Sequence, residues 1–274
     1  MHFVTGHPAV LVEDAIVIAD LHIGVERELL QNGVKVPSQT EKMKMRLDKI
    51  IQLTKAGRLI IAGDVKHIVP GKSFQEMKEI PEFLEHFQQK CEIEIVAGNH
   101  DGGLGAMLPS AVKFHGSEGI KLGDCFVCHG HAWPGKGFSE AKALLAGHSH
   151  PLYEFRDKLD YRFLEQVWLR TRMNKSKLEK RYGRLEHAPE LVVIPAFNPL
   201  VGGYSINPGQ AGRRNEYMGP VAKCADMKNA KVYMMDGMLL GELGRLGKCI
   251  KKGTCAGKQK ITLRAPRPLR LSWA

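Results

Sequence analysis

Residues 92–105 read EIEIVAGNHDGGLG: an apolar, β-branched run (Ile93, Ile95, Val96, Ala97) that stops on Asn99-His100-Asp101 and passes at once into glycine. A strand that only had to end could use a turn dipeptide. Ending on an amide, an imidazole and a carboxylate in succession marks either a polar turn or the lip of a reaction site. The same ending recurs along the chain. Ala15–Ala19 reads as a buried strand closing on Asp20, and Leu59–Ala62 as one closing on Gly63-Asp64. Cys125–Cys128 closes on His129, and a short helix from Ser139 leads into Leu144–Ala146 and Gly147-His148. Apolar strands alternating with helices predict an α/β sheet covered on both faces. In such sheets ligands bind outside the carboxyl ends of the strands, where these polar residues collect.

The helices between the strands have start and stop signals. Ser38-Gln39-Thr40-Glu41 and Ser73-Phe74-Gln75-Glu76 both fit the capping-box pattern. Gly57 is placed to end the first helix, and Pro81 should kink or split the second. After residue 150 the pattern predicts a strand over 161–172, a short basic helix over 175–182 and a strand over 191–196. A hairpin is expected around Asp236-Gly237.

Composition narrows the function classes. The 274 residues are 43% hydrophobic and 25% charged, as in an ordinary globular protein. No run approaches the ~18–20 apolar residues of a membrane span. The first twenty residues lack a basic stretch and carry Glu13-Asp14, so no signal peptide and a cytoplasmic location are expected. Six cysteines are too sparse for a disulfide scaffold; Cys125 and Cys128 have C-x-x-C spacing but lie within a strand, which favours structural cysteines over zinc or redox use. The net charge of +11 favours polyanionic partners. It concentrates in two places: residues 245–274 carry nine basic side chains and no acidic one, and 170–184 carry seven against Glu179 alone. Nucleic acid, specifically DNA, is the expected partner of both segments, with a homodimer or a DNA-repair protein as a further possibility and no membrane association.

Each motif alone is weak. Together, D-x-H (Asp20, His22), G-D-x-x-H (Asp64, His67), G-N-H-D (Asn99, His100, Asp101), H-G-H (His129, His131) and G-H-x-H (His148, His150) stand in a specific order. With them the chain resembles the calcineurin-like metallophosphoesterases. Gly63–His67 (GDVKH) and Pro195–Gly203 (PAFNPLVGG) bring it nearest to archaeal phosphoesterases related to the Mre11/SbcD nucleases and to a bacterial ligase-associated relative.

The resemblance implies a four-layer α/β/β/α sandwich with two central mixed sheets. It would span residues 1–243, with a basic insertion at 151–190 and a basic extension at 244–274 that leans towards a disordered arm. It implies two divalent cations ~3.5–4 Å apart, a hydroxide between them as nucleophile, and phosphodiester hydrolysis. One cation would take Asp20, His22, Asp64 and His150, the other Asp64, Asn99, His129 and His148, with Asp64 shared. Mixed nitrogen and oxygen donors suit Mn²⁺ first, with Fe, Zn²⁺, Ni²⁺ and Mg²⁺ as alternatives. His100 would be a general acid and, with Asp64, the catalytic pair. Asp101 would orient the His100 imidazole.

The second motif departs from the family pattern, ending in His67 where Asp is usual. Lys66 and His67 are open between substrate phosphate contact and an indirect role, and His131 between phosphate contact and a loop histidine. Gly130–Gly137 imitates a P-loop but ends in Gly137 where a hydroxyl is required, leaving Lys136 as a candidate phosphate contact. A phosphodiesterase acting on DNA is the leading expectation. A phosphatase or phosphodiesterase for nucleotides or other small esters and a non-catalytic DNA-binding scaffold are the alternatives.

Overall fold

In the computed structural model, residues 1–156, 159, 161–206 and 219–249 are described. Among them, two mixed β-sheets stack face to face. The first has strands in sequence order: β1 (His2–Phe3), β2 (Val10–Val12), β3 (Ala15–Ile18), β4 (Arg58–Ala62), β5 (Glu92–Val96) and β6 (Lys113–His115). From β3 to β6 the pairing is parallel. This brings the exits of β3, β4 and β5 to one edge.

The second sheet contains β7 (Ile120–Leu122), β8 (Cys125–Cys128), β9 (Ala143–Ala146), β10 (Pro151–Arg156), β11 (Arg162–Arg172), β12 (Glu190–Val193) and β13 (Tyr204–Ser205) in the order β13-β10-β11-β12-β9-β8-β7. The hairpin of β14 (Lys231–Met234) and β15 (Leu239–Glu242) adds to β11. Strands β8, β9 and β12 run parallel, so their exits also share an edge.

Side-chain alternation divides the core into three parts. Ile16, Ile18, Leu59, Ile61, Ile93 and Ile95 face outward, onto α2 (Thr40–Thr54) and α3 (Phe74–Gln88) through Met43, Leu47, Ile50, Phe83 and Phe87. The intervening residues, among them Val17, Ile60 and Ala62, pack against Val127, Leu145, Val192 and Trp168 of the second sheet. The far face of that sheet, with Phe126, Leu144 and Leu191, is covered by Phe138, by Leu178 of α4 (Lys175–Tyr182) and by Val221 of α5 (Pro220–Lys223). The result is the expected four-layer sandwich. Cys125 and Cys128 fall on opposite faces of β8, so their C-x-x-C spacing cannot hold one ion.

Local signals met mixed outcomes. Ser73 and Glu76 form the reciprocal capping box. The box at Ser38 does not form: α2 is capped at Gln39, while Ser38 and Thr40 both donate to Glu79 of α3, at 2.8 and 2.5 Å. Gln39 N instead donates to Glu26 of α1 (Val25–Gln31) at 2.7 Å. Lys55, at φ 53°, ends α2 in place of Gly57. Helix α3 runs unbroken through Pro81. The expected helix at Ser139 is a 3-10 turn over Lys136–Glu140. The last helix, α6, spans Leu243–Cys249; of the basic 245–274 stretch, everything past Cys249 lies outside the described residues.

Candidate metal centre

The five strand exits meet across the two sheets. Asp20, His22, Asp64, His148 and His150 all hold left-handed backbone, with φ between 36° and 66°. Non-glycine residues occupy that region at a cost of ~1–3 kcal/mol each, and such strain gathers at functional sites. The surrounding glycines give room. A Cβ on Gly98 would stand 2.1 Å from Asp64 Oδ1, and one on Gly63, at φ 83°, 2.4 Å from His129 Nδ1.

Asp64 is the centre of the cluster. Its Oδ1 accepts the N–H of His100 at 2.8 Å, which leaves Oδ2 facing inward. Oδ2 lies 3.2 Å from His129 Nε2, 3.5 Å from His22 Nε2 and 3.9 Å from His100 Nε2. Asp20, fully buried, accepts His148 N–H and has Oδ1 3.2 Å from His150 Nε2.

Hydrogen bonds to one nitrogen of a ring decide where the other lone pair points. His129 Nδ1 donates to Ala62 O at 2.9 Å, which aims a bare Nε2 at Asp64 Oδ2 and at Asn99 Oδ1, 3.0 Å away. His150 Nδ1 donates to Gly202 O at 3.0 Å, aiming Nε2 at Asp20. Three acceptors around one point repel unless a proton or a cation sits among them. In addition, His22 Nε2 and His150 Nε2 are buried without any hydrogen-bond partner. Two sets of donors, Asp20-His22-His150 and Asp64-His129-His148, are compact enough for one ion each. The donor chemistry therefore fits a pair of divalent cations.

The electrostatics agree. Burial alone would raise both carboxyls, but the surrounding imidazoles hold Asp20 and Asp64 below the usual carboxylate range. Burial lowers His22 to about 3 and His148 to about 4, keeping them neutral and able to donate a lone pair. His129 goes the other way, up to about 9, because Asp64 and Asp20 outweigh its burial. Without a cation, a proton takes the place between His129 and Asp64.

Asp101 sits differently from the sequence reading, and of the residues it left open Lys66 and His67 find other partners. Asp101 does not orient His100. Its buried carboxylate accepts N–H from Asp64 (2.8 Å), Val65 (2.9 Å), Lys66 (3.3 Å) and Gly98 (2.8 Å), tying two strand exits together. His100 Nδ1 donates instead to the main-chain oxygen of His67 at 2.5 Å, which turns Nε2 to the cluster. Lys66 is not available to a phosphate: it is 1% exposed, with Nζ bonded to Ile68 O and Gly71 O. His67 contacts His22 and Glu28 with its ring. His131 is 5.1 Å from the His129 ring and has a buried, unpartnered Nδ1; burial lowers it to about 4. Lys136 is exposed at the head of its 3-10 turn and, among the described residues, bonds to none of the strand-exit side chains.

Three contributors escaped sequence reading. Gly202 supplies the carbonyl for His150. Asn198, fully buried, braces the Asp20–His22 loop by donating to Leu21 O at 2.9 Å. Glu28 bonds His67 from α1. Only the PAFNPLVGG match hinted at the first two.

No family model matches the chain, and no curated protein matches it. Among solved structures, the Pseudomonas putida nuclease MPE matches at 19% identity over 81% of this chain and 85% of that one, with a TM-score of 0.50. Also similar are Yfce, a phosphoesterase from E. coli (19% identity, 52% and 73% coverage, TM-score 0.33), and a predicted phosphoesterase from Streptococcus pneumoniae TIGR4 (14%, 82% and 91%, 0.27). These neighbours are members of the calcineurin-like metallophosphoesterase superfamily. The likeness to nuclease MPE, with the two stacked mixed sheets, defines the fold of this chain as the metallophosphoesterase type.

Proposed function

We propose that the protein is a phosphodiesterase dependent on two divalent cations, Mn²⁺ in the first instance, that acts on DNA. The observation that carries this reading is Asp64 Oδ2, set between His129 Nε2 and His22 Nε2 at 3.2 and 3.5 Å, so that one carboxylate oxygen would serve both donor sets. Asp20, His22, Asp64 and His150 would hold one cation, and Asp64, Asn99, His129 and His148 the other. Bound there, the pair would supply positive charge to the phosphoryl oxygens and make a water acidic enough to attack at neutral pH.

The chain's own groups do the rest. His100 Nε2 faces the cluster beside Asp64, and its side chain is 27% exposed, so it can reach a bound ester. Protonated there, it would pass its proton to the leaving oxygen, while the His67 carbonyl fixes the ring's orientation. His131, 5.1 Å from the His129 ring, would contact a phosphoryl oxygen.

The DNA assignment draws support from α4. Tyr182 Oη donates to Pro134 O at 2.7 Å, and the Arg181 guanidinium lies 4.9 Å from the Trp133 ring, on the loop that leaves His131. The C-terminal turn of the basic helix thus packs on the loop that leaves His131, and a phosphodiester chain running from the centre along that loop would meet it. Part of the 170–184 charge is spent internally, since Arg170 pairs with Glu190 at 2.7 Å. Trp168 is 3% exposed and meets Phe3 edge to face, which makes it a core aromatic and not a base platform.

The test is hydrolysis of bis-p-nitrophenyl phosphate, single-stranded DNA and duplex DNA with Mn²⁺. Asp64→Asn should lose cation and activity together, and His100→Ala should keep the cation and lose ~10²–10⁴ in rate. Turnover of the small ester with none of DNA would move the substrate to a nucleotide or similar ester. No turnover of any substrate would overturn the enzyme reading.

A further inference from the structure

A chain of hydrogen bonds leads from the surface to the centre. Glu28, on α1, meets His67 Nε2 at 2.5 Å, and His67 Nδ1 meets His22 Nδ1 at 3.2 Å. Glu28 is 57% exposed, His67 12% and His22 3%, so the chain runs inward by steps. We infer that Glu28 and His67 form a positioning relay that fixes the tautomer of His22 and aims its Nε2 at the cation shared with Asp20 and His150.

The assignment follows from proton counting. A carboxylate only accepts, so the bond to Glu28 places the His67 proton on Nε2. The neutral ring then has a bare Nδ1, which accepts from His22 Nδ1–H. That leaves the lone pair of His22 on Nε2, the atom found buried and unpartnered beside Asp64 Oδ2. Reversing the His22–His67 bond would put a proton on His22 Nε2, where the structure offers it no acceptor in hydrogen-bond geometry. Imidazole ligands are commonly held in this way by an outer acceptor, usually a carboxylate or carbonyl. Here the acceptor is a second imidazole, itself set by a carboxylate from another element.

His22, His67 and His100 also lie close enough together to suggest a separate three-imidazole ion site. The hydrogen bonds argue against it. Both nitrogens of His67 are engaged, and His100 Nδ1 is bonded to the His67 carbonyl. The trio is better explained as one ligand, its support and the neighbouring acid.

The proposal rests on the two-cation reading, and its test separates the two. The first readout is the ¹⁵N tautomer pattern of His22 in the cation-free protein by NMR. The wild type should show Nδ1–H with bare Nε2. His67→Ala should release His22 to a mixture of tautomers. His67→Asn should keep Nδ1–H, because its Oδ1 stands on Cγ as Nδ1 does and accepts the same proton.

The second readout is Mn²⁺ affinity by calorimetry. His67→Ala should weaken one of two sites ~10–100-fold and leave the other unchanged, as loss of an outer partner does. Glu28→Ala should weaken the same site about tenfold in the wild type and have no effect in the His67→Asn background, where the link to Glu28 is already cut. The relay is overturned if wild-type His22 carries its proton on Nε2, or if Glu28→Ala has equal effects in both backgrounds. If the wild type binds no Mn²⁺, the two-cation reading fails alone, and the tautomer pattern still decides the relay.

Discussion

Asp101 shows what a single carboxylate does for this centre. It is 4% exposed, and it draws four main-chain N–H groups from the exits of β4 and β5 onto two oxygens. Burial pushes its carboxyl up, and the amides counter that by stabilising the anion. By holding the 64–66 turn, it holds Asp64 in left-handed backbone with one oxygen turned inward. Asp101→Asn keeps one accepting oxygen and should cost ~2–4 kcal/mol, since buried amides left unpaired cost ~1–3 kcal/mol each. Urea unfolding measures this, and an unchanged midpoint would contradict the role. At this scale the sequence is most informative where a polar residue ends an apolar strand, because the strand's direction places that side chain. It says little of a residue two positions further on. The reading of Asp101 fails and the role of Lys66 stays open for this reason: both turn inward to satisfy backbone groups, a choice set by contacts 35 or more residues away or by a local turn.

Elements were legible where their signals are local and legible only in part where a neighbour intervenes. The Ser73–Glu76 box needs only its own four residues and forms. The Ser38 box loses because Glu79, from α3, takes both hydroxyls of its sequence, and tertiary contact overrides the pattern. Short edge strands such as β1, β6 and β7 have too few residues for alternation to register. Strand β5 carries one element-scale prediction. Glu94, 6% exposed in mid-strand, accepts from Arg58 on β4 at 2.6 Å and meets His115 on β6 at 2.8 Å. Burial alone would raise its carboxyl, but Arg58 and His115 hold it below the ordinary value. A carboxyl lowered by folding adds stability above its unfolded pKa of ~4.3, and that stability is lost as pH falls through the lowered folded value. Glu94→Gln should therefore be less stable at pH 7 by ~1–2 kcal/mol, the low end of the ~1.5–3 kcal/mol of a hydrogen bond to a charged group, because Arg58 is partly exposed to solvent screening. The deficit should shrink below pH ~4. An equal deficit at pH 7 and pH 3 would contradict it.

At the scale of the whole molecule, the stacking of two sheets is what assembles the centre. Asp20, Asp64 and Asn99 leave the first sheet, and His129, His148 and His150 leave the second, so neither sheet holds a complete donor set. Runs of apolar strands ending on donors made this much legible. The Gly202 carbonyl and the Glu28 relay were not, since a main-chain acceptor and a helix-surface glutamate have no distinctive spacing. No helix of the described residues is long and apolar enough to cross a membrane. The central claim is that Asp64 bridges two cations. X-ray diffraction from crystals soaked in Mn²⁺, collected at the manganese absorption edge, tests it directly. The account predicts two anomalous peaks flanking Asp64 Oδ2, one beside His22 and His150 and the other beside His129 and His148, with Asp64→Asn losing at least one. A single peak, or none at Asp64, would contradict it.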